Sequence, residues 1–184
     1  MDGTKSAIGL RNIDHVAIAV WSIEEAVKLF RDLFGGEFIL GGDDERLGIR
    51  TVQFRLPPGV KIELMQPIRS DSYLQRYLEK HGQGFHHMTI FVEDVEKAIV
   101  ELEARGFEVV DTNLSSPQWR ETFVRPTSGF GTLLQIADTN RRWDVPLTGI
   151  TLEDVLAGRV IWRDDWPCLR RTSDDGEKAP SDGG

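Results

Sequence analysis

Two stretches of the chain carry the same alternation of apolar and polar positions. Ile13-Asp14-His15-Val16-Ala17-Ile18-Ala19-Val20 lies 72 residues before Phe85-His86-His87-Met88-Thr89-Ile90-Phe91-Val92, so that His15 aligns with His87 and Ile18 with Ile90. Both read as apolar strands. Each is followed by a residue suited to cap a helix, Ser22 or Asp94, whose side-chain oxygen accepts from the first free amides. The helices then repeat one stripe, Ile23, Ala26, Val27 and Phe30 in the first and Val95, Ala98, Ile99 and Leu102 in the second. That spacing puts four apolar side chains on one helical face, with Glu24, Glu25 and Lys28, or Glu96, Lys97 and Glu101, on the other. Gly35-Gly36 and Gly106 stop the helices.

The same register extends through three further strands in each half. Short strands are predicted at Glu37 to Leu40 and Phe107 to Val110. Thr51-Val52-Gln53-Phe54 corresponds to Phe123-Val124-Arg125, and Lys61-Ile62-Glu63-Leu64 to Leu133-Leu134-Gln135-Ile136. Leu56-Pro57-Pro58-Gly59 and Pro126-Thr127-Ser128-Gly129 read as the hairpin turns between them. The predicted fold is α+β, two tandem βαβββ modules forming a shared, cupped mixed sheet, because one module alone is too small to bury its apolar face. Residues 1–138 are expected to form a single domain made of modules 12–68 and 85–138. A linker helix at 72–81, capped by Ser72, joins them. Residues 139–171 form an extension, with a short helix capped by Thr151, and the Ser/Asp/Gly-rich residues 172–184 a disordered tail. Trp143, Trp162 and Trp166 are too apolar for free exposure, so the extension is expected to pack on the body or on a partner subunit.

Composition narrows the function. With 30 Asp and Glu against 22 Lys and Arg the chain is acidic, which disfavours nucleic acid as a partner. The longest apolar run near the start, Val16 to Trp21, is too short for a secretory core or a membrane span, so a cytoplasmic location without membrane attachment is expected. The single cysteine, Cys168, excludes an intramolecular disulfide and a cysteine-based zinc site.

The candidate chemistry lies in four polar residues placed where the strands ask only for packing. His15 pairs with Glu63 and His87 with Gln135, and one 72-residue spacing separates both the histidines and their partners. A lone strand histidine is usually a hydrogen-bonded core residue. Two repeated pairs brought together by a pseudo-twofold are better explained as a mixed nitrogen and oxygen site for one divalent cation per chain: cobalt, nickel, manganese, zinc or iron. Gln135 has a second reading as a hydrogen-bond partner of substrate. His86, by period-two alternation, is expected on the opposite sheet face as a structural residue.

From Ile13 to Ala137 the chain resembles the vicinal-oxygen-chelate superfamily, the glyoxalase/bleomycin-resistance/dioxygenase fold. It is most similar to the methylmalonyl-CoA epimerase-like branch through Ile13 to Val20, Lys61 to Leu64, and the stretch Tyr77-Leu78-Glu79-Lys80-His81-Gly82-Gln83-Gly84-Phe85-His86-His87. That resemblance implies a cation held at His15, Glu63, His87 and Gln135. It implies a small-molecule substrate with vicinal oxygens, such as an acyl-CoA, whose α-proton moves through an enolate between two carboxylate bases, and a homodimer. One base falls on the loop before the third strand, at Glu45 or Asp44. The other falls on the last ligand position, where Gln135 has no basic carboxylate; Glu121 is the nearest replacement. Glyoxalase-type lyases, iron-dependent ring-cleaving dioxygenases and non-catalytic binding proteins are the alternatives within the superfamily. Arg120 and Arg125 are read as solvated surface residues or anion contacts. Trp119 and Trp21 are read as cavity walls or core.

Overall fold

The computed structural model describes residues 6–171, so the tail expected at 172–184 lies outside the described residues. Among the described residues ten strands form one sheet. In chain order they are β1 (Leu10–Ala19), β2 (Glu37–Asp44), β3 (Ile49–Leu56), β4 (Val60–Pro67), β5 (Gly84–Val92), β6 (Val109–Ser116), β7 (Trp119–Val124), β8 (Leu134–Asp138), β9 (Val160–Arg163) and β10 (Trp166–Leu169). Their spatial order is β10-β9-β2-β3-β4-β1-β5-β8-β7-β6. Strands β1 and β5 pair antiparallel at the centre. Outward from them the halves mirror one another, with β1·β4 and β5·β8 parallel and the remaining pairs of each module antiparallel. This is the two-module α+β sheet expected from the repeat.

The helices are α1 (Ile23–Val27), continued by a π-helical turn over Lys28–Leu33, α2 (Tyr73–His81), α3 (Val95–Ala104) and α4 (Leu152–Leu156). All four expected caps form: Ser22, Ser72, Asp94 and Thr151 each accept from backbone amides of the first turn, and Thr151 closes a capping box with Asp154. Asp94 accepts from the amides of both Glu96 and Lys97. Asp94→Ala is therefore expected to cost about 1 kcal/mol, read from chemical denaturation; no change would mean the cap is dispensable to α3. No helix among the described residues is long and apolar enough to cross a membrane.

Period-two alternation divides the sheet into two faces. On the helix side, Val52, Phe54, Ile62 and Leu64 pack under α1, and Val124 and Ile136 under α3. Complete burial of a side chain such as Phe54 or Leu64 contributes roughly 1.5–3 kcal/mol. The intervening residues, among them His15, Lys61, Glu63 and Gln135, point to the opposite face and are buried there too. That face is closed at one end by α2, whose Leu74 and Leu78 pack on Ala17, Ala19 and Met65. At the other end a tryptophan cluster gathers Trp119, Trp143, Trp162 and Trp166.

Three details differ from the pattern of the sequence. Strand β2 continues through Gly41-Gly42 to Asp44 instead of stopping at Leu40. A Cβ on Gly41 would sit 2.4 Å from the Thr51 carbonyl oxygen, so glycine there serves close strand approach and not a turn. In the outer hairpin, Gln53 pairs with Glu63 and Phe123 with Gln135, so β3 and β7 match at a spacing of 70 residues, not 72. The loop after β7 is longer by those two residues, and Arg125 lies beyond the strand. The extension supplies a hairpin, β9 and β10, that pairs with the free edge of β2. Its tryptophans pack on this chain's own body: Trp143 is buried, with its ring 5.1 Å from Trp119 and 5.5 Å from Trp166.

Candidate metal centre

Strands β1, β4 and β5 are neighbours at the sheet centre, and they bring His15, Glu63 and His87 together. One ligand atom from each lies within 4.8 Å of the others. The His15 and His87 rings meet edge to face at 5.6 Å, and His15 Nε2 stands 3.6 Å from Glu63 Oε2. Gln135 on β8 reaches the same place. Its Oε1 accepts from the Thr89 hydroxyl, which also lies 2.9 Å from His15 Nε2. Four donors from four adjacent strands thus face a cleft of about 200 Å³.

Two β-bulges orient the imidazoles. In the β1·β5 ladder the register skips Asp14 in one strand and His86 in the other, positions that are equivalent in the repeat. A bulge places two consecutive side chains on one side of a strand. Asp14 accordingly lies beside His15, its Oδ2 2.7 Å from Nδ1, and His86 Nδ1 lies 2.8 Å from His87 Nδ1. His86 therefore faces the cleft and not the opposite side: the simple alternation predicted from sequence fails at the bulge. On each histidine the Nδ1 partner leaves Nε2 as the atom turned toward the site.

Around two of the donors the side chains close into a ring. Asp14 Oδ2 is 2.8 Å from Lys61 Nζ, Lys61 donates to Gln53 Oε1 at 3.3 Å, and Gln53 Nε2 donates to Glu63 Oε1 at 3.0 Å. Lys61 also donates to the Trp143 carbonyl at 2.8 Å, which ties the extension into the support of the site. Sequence reasoning passed over Asp14, Lys61 and Gln53. The available signal was a lysine and an aspartate at buried strand positions, where an unpaired charge is untenable.

Buried carboxylates govern the electrostatics of the site. Burial opposes charge on His15, yet the Glu63 and Asp14 carboxylates outweigh it and raise the imidazole to about 9. Burial likewise opposes charge on Glu63, but His15 draws it down to about 2. His87 is lowered to about 3, mainly by burial, with His15 and His86 adding to the effect. A proton on His15 occupies the role that a divalent ion fills with the same nitrogen and oxygen donors, so the set fits such an ion.

The two carboxylates bracketed as a catalytic base are separated by the structure. Asp44, at the end of β2, borders the cleft, and its Oδ1 accepts from the Leu47 amide at 2.9 Å. Glu45 lies outside that cleft, its carboxylate 2.6 Å from Arg170 Nη1. Glu121 on β7 does border it, with Oε2 accepting from Gln135 Nε2 at 2.6 Å and from Trp119 Nε1 at 2.7 Å; burial raises its pKa. Tyr73, Trp119, Trp143 and Trp162 form apolar walls, whereas Trp21, expected as wall or core, is exposed and is neither. Arg120 is bound to Asp138 at 2.6 Å and Arg125 pairs with Glu108 at 3.0 Å, so both are engaged within the chain.

Comparison with known proteins bears on the family and the fold. A model of the Glyoxalase/Bleomycin resistance protein/Dioxygenase superfamily matches residues 14–123. A mitochondrial methylmalonyl-CoA epimerase of Dictyostelium discoideum is 28% identical over 134 residues, 71% of this chain and 80% of that one. An ethylmalonyl-CoA/methylmalonyl-CoA epimerase of Cereibacter sphaeroides is 36% identical over 99 residues, covering 53% and 73%. Among solved structures, a Streptomyces coelicolor methylmalonyl-CoA epimerase variant in complex with 2-nitronate-propionyl-CoA superposes with a TM-score of 0.62. That pair is 27% identical and spans 72% of this chain and 99% of the other.

Proposed function

The chain belongs to the Glyoxalase/Bleomycin resistance protein/Dioxygenase superfamily, and on that premise we propose that it is a divalent-cation-dependent epimerase of an acyl-CoA of the methylmalonyl-CoA kind. The observation that carries this reading is one cleft in which His15, Glu63 and His87 converge while carboxylates of the two modules border the space beside them. Relatives that are methylmalonyl-CoA epimerases support the substrate class.

An α-carbon between a thioester and a carboxylate carries an acidic proton, and its removal leaves negative charge on the thioester oxygen. His15, Glu63 and His87 would hold the cation, with the Gln135 amide oxygen as a fourth donor. Bound there, a divalent ion supplies Lewis-acid stabilisation of that charge. The protein supplies the rest. Asp14 and His86 hold the imidazoles in orientation, the tryptophan and tyrosine walls would exclude water from the reacting carbon, and Asp44, which borders the cleft, would take the α-proton. Two imidazoles with one carboxylate suit cobalt, nickel, manganese, zinc or iron. A cytoplasmic homodimer is part of the same proposal, and the exposed apolar residues Leu33 and Phe34 beside α1 would suit the dimer interface.

The test uses the two epimers of methylmalonyl-CoA separately, in deuterated water, followed by NMR. Expected are interconversion and deuterium at the α-carbon, stopped by a chelator and restored by added cation. Cation-loaded protein that leaves both epimers unlabelled would sink the proposal. The same donors also suit an iron-dependent ring-cleaving dioxygenase, which would instead consume oxygen with a catechol; that reading leaves Asp44 without a role.

A further inference from the structure

Inverting a carbon centre by proton transfer demands two acid–base groups, because a proton taken from one face must be replaced on the other. The groups must stand on opposite walls, and in this protein opposite walls belong to different modules. Strands β2 and β7 are separated in the sheet by β3, β4, β1, β5 and β8. In a flat sheet six strand spacings would hold them roughly 29 Å apart. The sheet curls instead, and Asp44 from β2 and Glu121 from β7 border one cleft with the cation donors between them. Tyr73 borders the same cleft as both carboxylates.

Glu121 is built into that wall. Trp119, Glu121 and Phe123 alternate onto the cleft side of β7, while Thr122 and Val124 turn inward. Both of its hydrogen bonds, from Trp119 Nε1 and Gln135 Nε2, fall on Oε2 and come from neutral donors. Oε1 has no hydrogen-bond partner among the described residues. The equivalent position of the first module, matched through the ladders Thr51↔Met65 and Glu121↔Ala137, is a threonine. The repeat therefore does not require a carboxylate here, and packing alone does not either.

We infer that Glu121 is the acid–base group for the second face of the substrate, working opposite Asp44. The inference rests on the epimerase reading. With one epimer, the Asp44 carboxylate takes the α-proton, the C–H pair moves into the thioester to form the enolate, and the Glu121 carboxyl gives its O–H proton to the opposite face of the carbon. With the other epimer the roles reverse. Exchange with water returns the proton gained by one carboxylate and lost by the other before the next turnover.

Glu121→Gln keeps the shape of the side chain and an oxygen for Trp119. It is expected to lower interconversion at least about 100-fold. One epimer should still gain deuterium at its α-carbon, without inversion, through Asp44, while the other gains none. Asp44→Asn should give the complementary result, labelling only the epimer that Glu121→Gln leaves unlabelled. Equal slowing of exchange for both epimers in Glu121→Gln would overturn the assignment and leave Glu121 as a residue that orients Gln135. Unchanged interconversion would overturn it as well. If wild-type protein labels neither epimer, the epimerase reading itself fails, and the assignment with it.

Discussion

Cation affinity is expected to rise about tenfold for each pH unit up to about pH 9 and to level off above it. Below that value His15 carries the proton that the Glu63 and Asp14 carboxylates hold on it, and a cation must displace that proton to use Nε2. Titration of the cation-free protein with cobalt at several pH values measures the slope directly. A flat profile would mean that His15 is not a ligand. Stability of the cation-free protein is linked to the same groups. His15 has a folded value above its ordinary 6.5, so its contribution is complete below pH 6.5 and is lost as pH rises through about 9. His87 has a folded value near 3, so it costs stability as pH falls below 6.5. Glu63, held near 2 against an ordinary 4.5, contributes fully above pH 4.5 and loses that contribution progressively as pH falls from there toward 2. The cation-free protein should therefore be most stable near pH 6.5, and a saturating cation should flatten the alkaline side of that curve.

Lys61→Met is expected to destabilise the protein by about 1.5–3 kcal/mol, because it removes one of the two cationic partners of the buried Asp14 carboxylate and leaves it with His15 alone. Methionine fills similar space, so the loss is electrostatic more than steric. The same substitution removes the donor to Gln53 Oε1 and to the Trp143 carbonyl, which loosens Glu63 on one side and the extension on the other. Denaturant unfolding gives the stability, and cation titration should show weaker binding in parallel. Lys61→Arg keeps the charge and should recover part of both. A loss below about 1 kcal/mol in Lys61→Met would mean that water or a shifted Asp14 satisfies the carboxylate, and the ring of side chains would then be incidental to the site.

The residues that make this fold legible are those with a local or periodic reason to be where they are. Ser22, Ser72, Asp94 and Thr151 cap helices because a side-chain oxygen can reach amides three residues on, whatever the rest of the chain does. The apolar stripes of α1 and α3 and the 72-residue spacing of His15 with His87 and of Glu63 with Gln135 follow from periodicity, and with them the two-module sheet and the donor set. What depended on tertiary structure was anything set by a break in that periodicity or by curvature. Bulges at Asp14 and His86 are properties of a strand pair, and neither strand alone announces them, so the face of His86 and the Nδ1 partners of both histidines emerge only when β1 meets β5. The continuation of β2 through two glycines depends on how closely β3 approaches, and it decides that Asp44 reaches the cleft while Glu45 turns to Arg170. The meeting of Asp44 with Glu121 across the site needs the whole sheet to curl, since pairing rules specify neighbours along a strand but not which distant strands a curved sheet brings face to face.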